Sequence, residues 1–302
     1  MLALVSAPTF DPNHLDEQWD DLSDDPAAPL LNRATQGLYQ PGTGLQSVLL
    51  AAGLFSSVIS VDDPWLGDLT VTVDGSLLPC ADSPPGPPTT LGEAYRRACP
   101  APFGGVGAAL GSRRLQSALT DFGLLDPPPF DIPTAAVAQE ESFGALDARQ
   151  MGVGQSVLTV SPLQMALATT ALANDGLIVP FRLVDATQPP GGKWLLAPAV
   201  GGARAAVNPA SAHEVANLMR LAVIDGAARA AALPGRAVYG HAGLAVAGPG
   251  EATNAWFMGF VREAGERAVV VVVLIEDTAQ AADAAELGAA ALEAGLAVMR
   301  GP

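Results

Sequence analysis

Apolar residues fall at helical spacing in Gly37–Leu50, GLYQPGTGLQSVLL, and the rest of the chain arranges itself around this stretch. Leu45, Leu49, Leu50 and Gly53 share one face, with Gly42-Thr43 in the first turn. The apolar run Leu2–Ser6 predicts a short strand, and the polar, acidic run Asp11–Asp25 after it predicts a loop. Residues 60–92 are rich in Asp, Pro and Gly, with a short alternating segment at Leu69–Val73 and a loop at Ala81–Thr90. Leu91–Ala98 predicts a helix ending at Pro100, and Arg113–Phe122 another, bounded by Gly111-Ser112 and Gly123. Ser161-Pro162 is an N-cap followed by proline, opening a helix that runs to Asn174 and stops at Gly176.

Arg182–Asp185 and Lys193–Leu196 flank a Pro-Pro-Gly-Gly turn and predict a small hairpin. Asn208-Pro209 opens a helix with Val215, Leu218, Met219, Ala222 and Val223 on one face. The last third changes character. Ala255–Val261 is apolar and aromatic, Ala268–Ile275 is a Val-rich run, and the polar Arg262–Arg267 between them reads as a hairpin loop. An alanine-rich helix from about Ala281 to Met299 follows. Strand, strand and helix in that order predict a mostly antiparallel sheet with a helix laid on it.

Composition narrows the function. The 302 residues, 49% of them hydrophobic, suit one large domain or two small ones. With 15 basic against 31 acidic residues the net charge is −16, which argues against nucleic acid as a partner. His14, His213 and His241 are scattered, and no CxxC or HExxH spacing occurs, so neither a metal nor another cofactor is expected. No stretch reaches about 18 uninterrupted apolar residues, the length a membrane span needs. MLALVSAPTF has no basic leading region and does not read as a signal peptide. Cys80 and Cys99 read either as two unrelated small apolar residues or as a disulfide, which requires an oxidising compartment.

The candidate chemistry lies in the opening stretch. Thr43 puts a hydroxyl at the N-terminus of an apolar helix, where acyl-transfer enzymes can present a nucleophile. The position one helical turn on, Gln46, carries an amide that cannot take up a proton at neutral pH. Lys193 is the chain's single lysine and lies in a different, turn-rich segment.

Four stretches, in order, resemble the transpeptidase domain of class B penicillin-binding proteins. LALVSAPTFDPN resembles the strand before the nucleophile helix, and NRATQGLYQPGTGLQ resembles the nucleophile segment, which usually ends in PGSxxK. GVGQSVLTVSPLQMALATTALANDG resembles the segment before the last catalytic strand, and AWFMGFVREAGERAVVVVVLIED resembles the last two strands. The resemblance implies the serine D,D-transpeptidase, β-lactamase-like fold of α/β (α+β) type. That fold is a mostly antiparallel central sheet with helices on both faces and a helical subdomain, here within about residues 50–160 of a single domain 1–302. It also implies peptidoglycan stem peptides or another cell-wall synthesis protein as partners, and a site on the extracytoplasmic face of the cytoplasmic membrane.

Each catalytic motif departs from the family pattern. The Ser-x-x-Lys positions hold Thr43 and Gln46. The Ser-x-Asn positions hold Ala98 and Pro100, a methyl and a ring without a backbone donor. Lys-Thr-Gly-Thr is replaced by His241-Ala242-Gly243-Leu244, which keeps only the glycine. His241 reads either as a group charged below about pH 6.5 or as a partly exposed strand histidine. The backbone N–H groups of Thr43 and Leu244 are the candidate oxyanion hole. Because the family works outside the cytoplasmic membrane, the resemblance adds weight to a Cys80–Cys99 disulfide.

Three readings follow: a pseudoenzyme that binds without cross-linking, an acyl-enzyme that uses Thr43 with His241 as base, and a fragment without function. In the family a helix and a first strand precede the LALVS strand, so the chain reads as N-terminally truncated. An open sheet edge beside Leu2–Ser6 is then expected, with poor stability or self-association.

Overall fold

The computed structural model describes residues 1–302 except 84–85, 137–146, 156, 198–200, 249–251, 264–266 and 301–302, and the side chain of residue 300. The eight helices named here are α1 (Leu15–Asp24), α2 (Gln46–Phe55), α3 (Leu91–Arg96), α4 (Pro100–Asp121), α5 (Ala148–Val153), α6 (Pro162–Ala173), α7 (Pro209–Asp225) and α8 (Ala281–Arg300). Two-stranded ribbons pair β1 (Val71–Val73) with β2 (Ser76–Leu78), β3 (Leu177–Ile178) with β6 (Arg204–Ala205), and β4 (Ala186–Thr187) with β5 (Leu195–Leu196).

The central sheet is an antiparallel meander of β7 (Val238–Val246), β8 (Thr253–Arg262) and β9 (Ala268–Ile275). Its register sets His241 opposite Met258, Gly243 opposite Trp256, and Phe260 opposite Val270. Helices cover both faces. α8 packs on all three strands, and α6 packs on β8 and β9 from the other side. β8 is therefore buried along its length up to Arg262, as a strand enclosed on both faces requires. One apolar cluster gathers Leu45, Leu49, Phe103, Met165, Trp256 and Phe260; the other gathers Ala242, Leu244, Phe257, Ala284 and Leu292.

α2 is apolar nearly all round and is buried from Gln46 to Gly53, which makes it the hub of the first cluster. Its start is held by a close backbone contact. Gly42, at φ +52°, donates its N–H to Gly154 O at 2.9 Å. A Cβ on Gly154 would lie 2.0 Å from Gly42 O, so only glycine fits there. Caps set the other helices. Ser161 and Gln164 form a reciprocal capping box on α6, and Asn208 accepts from Ser211 N–H at 2.8 Å on α7.

Several elements differ from the sequence expectation. Leu2–Ser6 forms no strand: Leu2 and Val5 are 58% and 79% exposed, and Ser6 Oγ instead donates to Leu31 O and accepts from Arg33 N–H. The edge strands of the sheet are β7 and β9, each paired only with β8 among the described strands, so the open edge expected beside Leu2–Ser6 is not formed there. The acidic loop contains α1, where Leu15, Trp19 and Leu22 recur at helical spacing among the acidic residues. The helix expected at Arg113–Phe122 is the second half of α4. Pro100 starts α4, and Gly111 bends it at φ +69°. The expected hairpin pairs at Ala186–Thr187 and Leu195–Leu196, so its first strand lies one residue beyond Asp185. Parts of the expected loops at Ala81–Thr90 and Arg262–Arg267 lie outside the described residues.

Candidate active site

The single-turn segment Gly42–Leu45 packs against β7 and brings the first and third motif positions together across about two hundred residues of chain. Thr43 is fully buried. Its Oγ1 accepts the Leu244 N–H at 2.9 Å and donates to Leu244 O at 3.3 Å. The hydroxyl is thus held at both ends by the backbone of β7. Gly243 permits this approach, since a Cβ there would lie 2.5 Å from Thr43 Oγ1.

Of the two N–H groups expected to form the oxyanion hole, that of Leu244 donates to Thr43 Oγ1. Gln46, at the first residue of α2 and 1% exposed, turns its Nε2 to Cys99 O at 2.9 Å. Its Oε1 has no partner among the described residues. The second motif position, Ala98–Pro100, forms a buried corner between α3 and α4, with Ala98 at φ +51°. A disulfide joins Cys99 in that corner to Cys80.

His241 is fully buried, in place of the partial exposure that its strand position suggests. Its ring stacks on Tyr95 with centroids 4.4 Å apart. Its Nε2 lies 3.0 Å from Thr43 O, and because a carbonyl only accepts, Nε2 carries the hydrogen. Burial lowers the His241 pKa to about 4, partly offset by the bond to Thr43 O. The imidazole is therefore neutral at physiological pH, and it touches the Thr43 carbonyl while Thr43 Oγ1 is bonded to Leu244.

Two further residues belong to this site. Tyr95 Oη and Ser47 Oγ are 2.7 Å apart and buried, and burial raises the Tyr95 pKa far above its usual value. Ser47 lies next to Gln46 in an otherwise apolar helix, and such an isolated hydroxyl was the readable signal for it. Lys193 sits apart, in the exposed turn before β5. His14 pairs with Glu17 at 3.2 Å and His213 with Asp175 at 2.7 Å, both at the surface. No group of His, Cys, Asp or Glu that could hold a metal occurs among the described residues. Two surface hollows, of about 520 and 420 Å³, lie beside Arg220 and Leu233 and beside Trp19; neither is lined by a motif residue.

A helix N-terminus abutting a sheet strand, flanked by a helix–helix corner, is the arrangement of a serine acyl-transfer fold. Residues 1–294 match the model of the penicillin-binding protein transpeptidase domain, and the chain belongs to that family. It is 32% identical over 298 residues to peptidoglycan D,D-transpeptidase PbpA of Mycolicibacterium smegmatis, covering 92% of this chain and 59% of the relative. It is 29% identical to PbpA of Mycobacterium tuberculosis, covering 98% of this chain and 64% of that protein. The chain thus spans about three fifths of the length of these relatives.

Among solved structures it is similar to penicillin-binding protein A from M. tuberculosis in an imipenem acyl-enzyme complex. That match has a TM-score of 0.84 and 29% identity, and covers 98% of this chain and 70% of that one. It is also similar to the D,D-transpeptidase domain of a peptidoglycan glycosyltransferase from Eggerthella lenta. The TM-score is 0.80 at 25% identity, over 97% of this chain and 75% of that one.

Proposed function

We propose that this transpeptidase-like domain is a pseudoenzyme that works by binding a peptidoglycan stem peptide or another cell-wall synthesis protein. In this reading residues 1–302 are one domain with a helical subdomain within about 50–160, acting on the extracytoplasmic side of the membrane. The observation that carries the reading is the closed pair Thr43–Leu244. The hydroxyl in the nucleophile position and the amide in the oxyanion position satisfy each other. The group one turn on, Gln46, cannot accept a proton, and general-base assistance is worth about 10²–10⁴-fold in rate.

The acyl-enzyme reading needs a proton path from Thr43 Oγ1 to His241, and that hydroxyl instead donates to Leu244 O. Incubation with stem peptides is expected to yield no cross-linked product, while calorimetry with the same peptide or with a purified cell-wall synthase detects binding. Cross-linking above that of a heat-denatured sample would overturn the proposal.

A further inference from the structure

Residues Leu69–Asp82 leave the helical region and return to it at nearly the same place. At one end Ala101 N–H donates to Leu69 O at 3.2 Å. At the other, Cys80 is bonded to Cys99, and Asp82 N–H donates to Arg97 O at 3.2 Å. The Asp82 carboxylate is held by Arg97 and, at 3.2 Å, by Arg229. Between these anchors the chain makes the hairpin β1–β2, turning at Asp74-Gly75 with both residues at positive φ.

β2 packs against β7. Leu78, fully buried, shares one apolar cluster with Ala98, Ala242 and Leu244. The hairpin therefore bridges the Arg97–Ala101 corner, which bonds Gln46, and β7, which bonds Thr43. Cys99 serves both sides, with its Sγ bonded to Cys80 and its carbonyl accepting from Gln46 Nε2.

We propose that Leu69–Asp82 is a strap that keeps the Thr43–His241 contact buried, and that the Cys80–Cys99 disulfide is its latch. The latch opens by thiol–disulfide exchange with a dithiol reductant. The reductant's two thiols supply two electrons and two protons, the S–S bond breaks, Cys80 and Cys99 become thiols, and the reductant leaves as its own disulfide. What then remains is non-covalent: the Asp82 contacts with Arg97 and Arg229, the backbone bonds of Asp82 to Arg97 and of Ala101 to Leu69, and the burial of Leu78. Of the two ion pairs, the one to Arg229 is half exposed and holds weakly, while Asp82 and Arg97 are each 14% exposed. The inference concerns access to Thr43 and His241 and does not depend on what the domain binds.

The three histidines supply the test. His14 and His213 side chains are 55% and 53% exposed and act as internal standards, whereas His241 is fully buried. Diethyl pyrocarbonate is applied to the full chain before and after reduction, with the adducts mapped by mass spectrometry. Labelling of His241 relative to the other two is expected to rise about tenfold or more, as for a local opening. Cys80→Ser is expected to do the same without reductant. Asp82→Asn with the disulfide intact is expected to leave His241 unlabelled.

Amide exchange in α6 and β8 is followed in the same samples and is expected to stay slow. The proposal fails if His241 labels equally in both redox states, or if Asp82→Asn alone exposes it. It also fails if reduction releases α6 and β8 together with His241, since the strap would then not move separately.

Discussion

Both hydrogen bonds of the Thr43 side chain go to the backbone of Leu244, and on the proposed reading this pair closes the site. Thr43→Ala removes both and leaves the buried Leu244 N–H unpaired, a loss of about 1–3 kcal/mol. Urea unfolding measures it, and an unchanged midpoint would mean that the pair does not hold the turn to β7. His241 carries a pH signature. Its folded pKa, about 4, lies below the unfolded value near 6.5, so between these pH values the unfolded chain binds a proton that the folded chain does not. Stability attributable to His241 is therefore complete above pH 6.5. It falls by about 3 kcal/mol as pH drops to 4, and levels off below that. Urea midpoints between pH 7 and pH 4 are expected to fall less steeply in His241→Gln than in the unaltered chain. Parallel slopes would contradict the burial of a neutral imidazole. That Thr43 would meet the His241–Leu244 stretch was legible from the resemblance, because Pro41-Gly42 and Gly243 mark the places. The bonding of the Thr43 hydroxyl to Leu244 was not legible, since it joins positions 201 residues apart.

Elements were legible where the local chemistry is complete within a few residues. Ser161-Pro162 with Gln164 carries its own start signal, and Ser161 accepts from Gln164 N–H while Gln164 Oε1 accepts from Ser161 N–H. Ser161→Ala is expected to cost about 1 kcal/mol in thermal or urea unfolding, the usual worth of an N-cap. A change below a few tenths would show that tertiary packing alone fixes the start of α6. Elements were misread where one signal masked another. The acidic residues of Asp11–Asp25 hid the spacing of Leu15, Trp19 and Leu22, and Gly111 looked like a boundary where it is a bend inside α4. The apolar run Leu2–Ser6 has strand composition, but β-propensity expresses itself only with a partner strand, and the described chain pairs none with it. The Asp74-Gly75 turn between Val71–Val73 and Ser76–Leu78 was a readable hairpin signal inside a region taken as irregular.

For the whole molecule, the sheet has helices on both faces and two edge strands, β7, against which Gly42–Leu45 packs, and β9. β9 reads AVVVVVLI, without proline or charge to deter pairing, and only β8 bonds to it among the described strands. Sedimentation velocity over a range of concentrations is expected to show self-association of the 302-residue chain, and a monomer at every concentration would contradict it. The fold class was legible because four stretches, in order, resemble those of the family, whose model matches residues 1–294. Activity is decided by a few side chains, and the proposed reading is that Thr43, Gln46 and His241 are not arranged to move a proton to or from a substrate. The most direct measurement of that claim is the intact mass of the chain after prolonged incubation with a fluorescent penicillin. The mass is expected to stay unchanged, with no fluorescent band on a denaturing gel. A one-to-one adduct that disappears in Thr43→Ala would contradict the account.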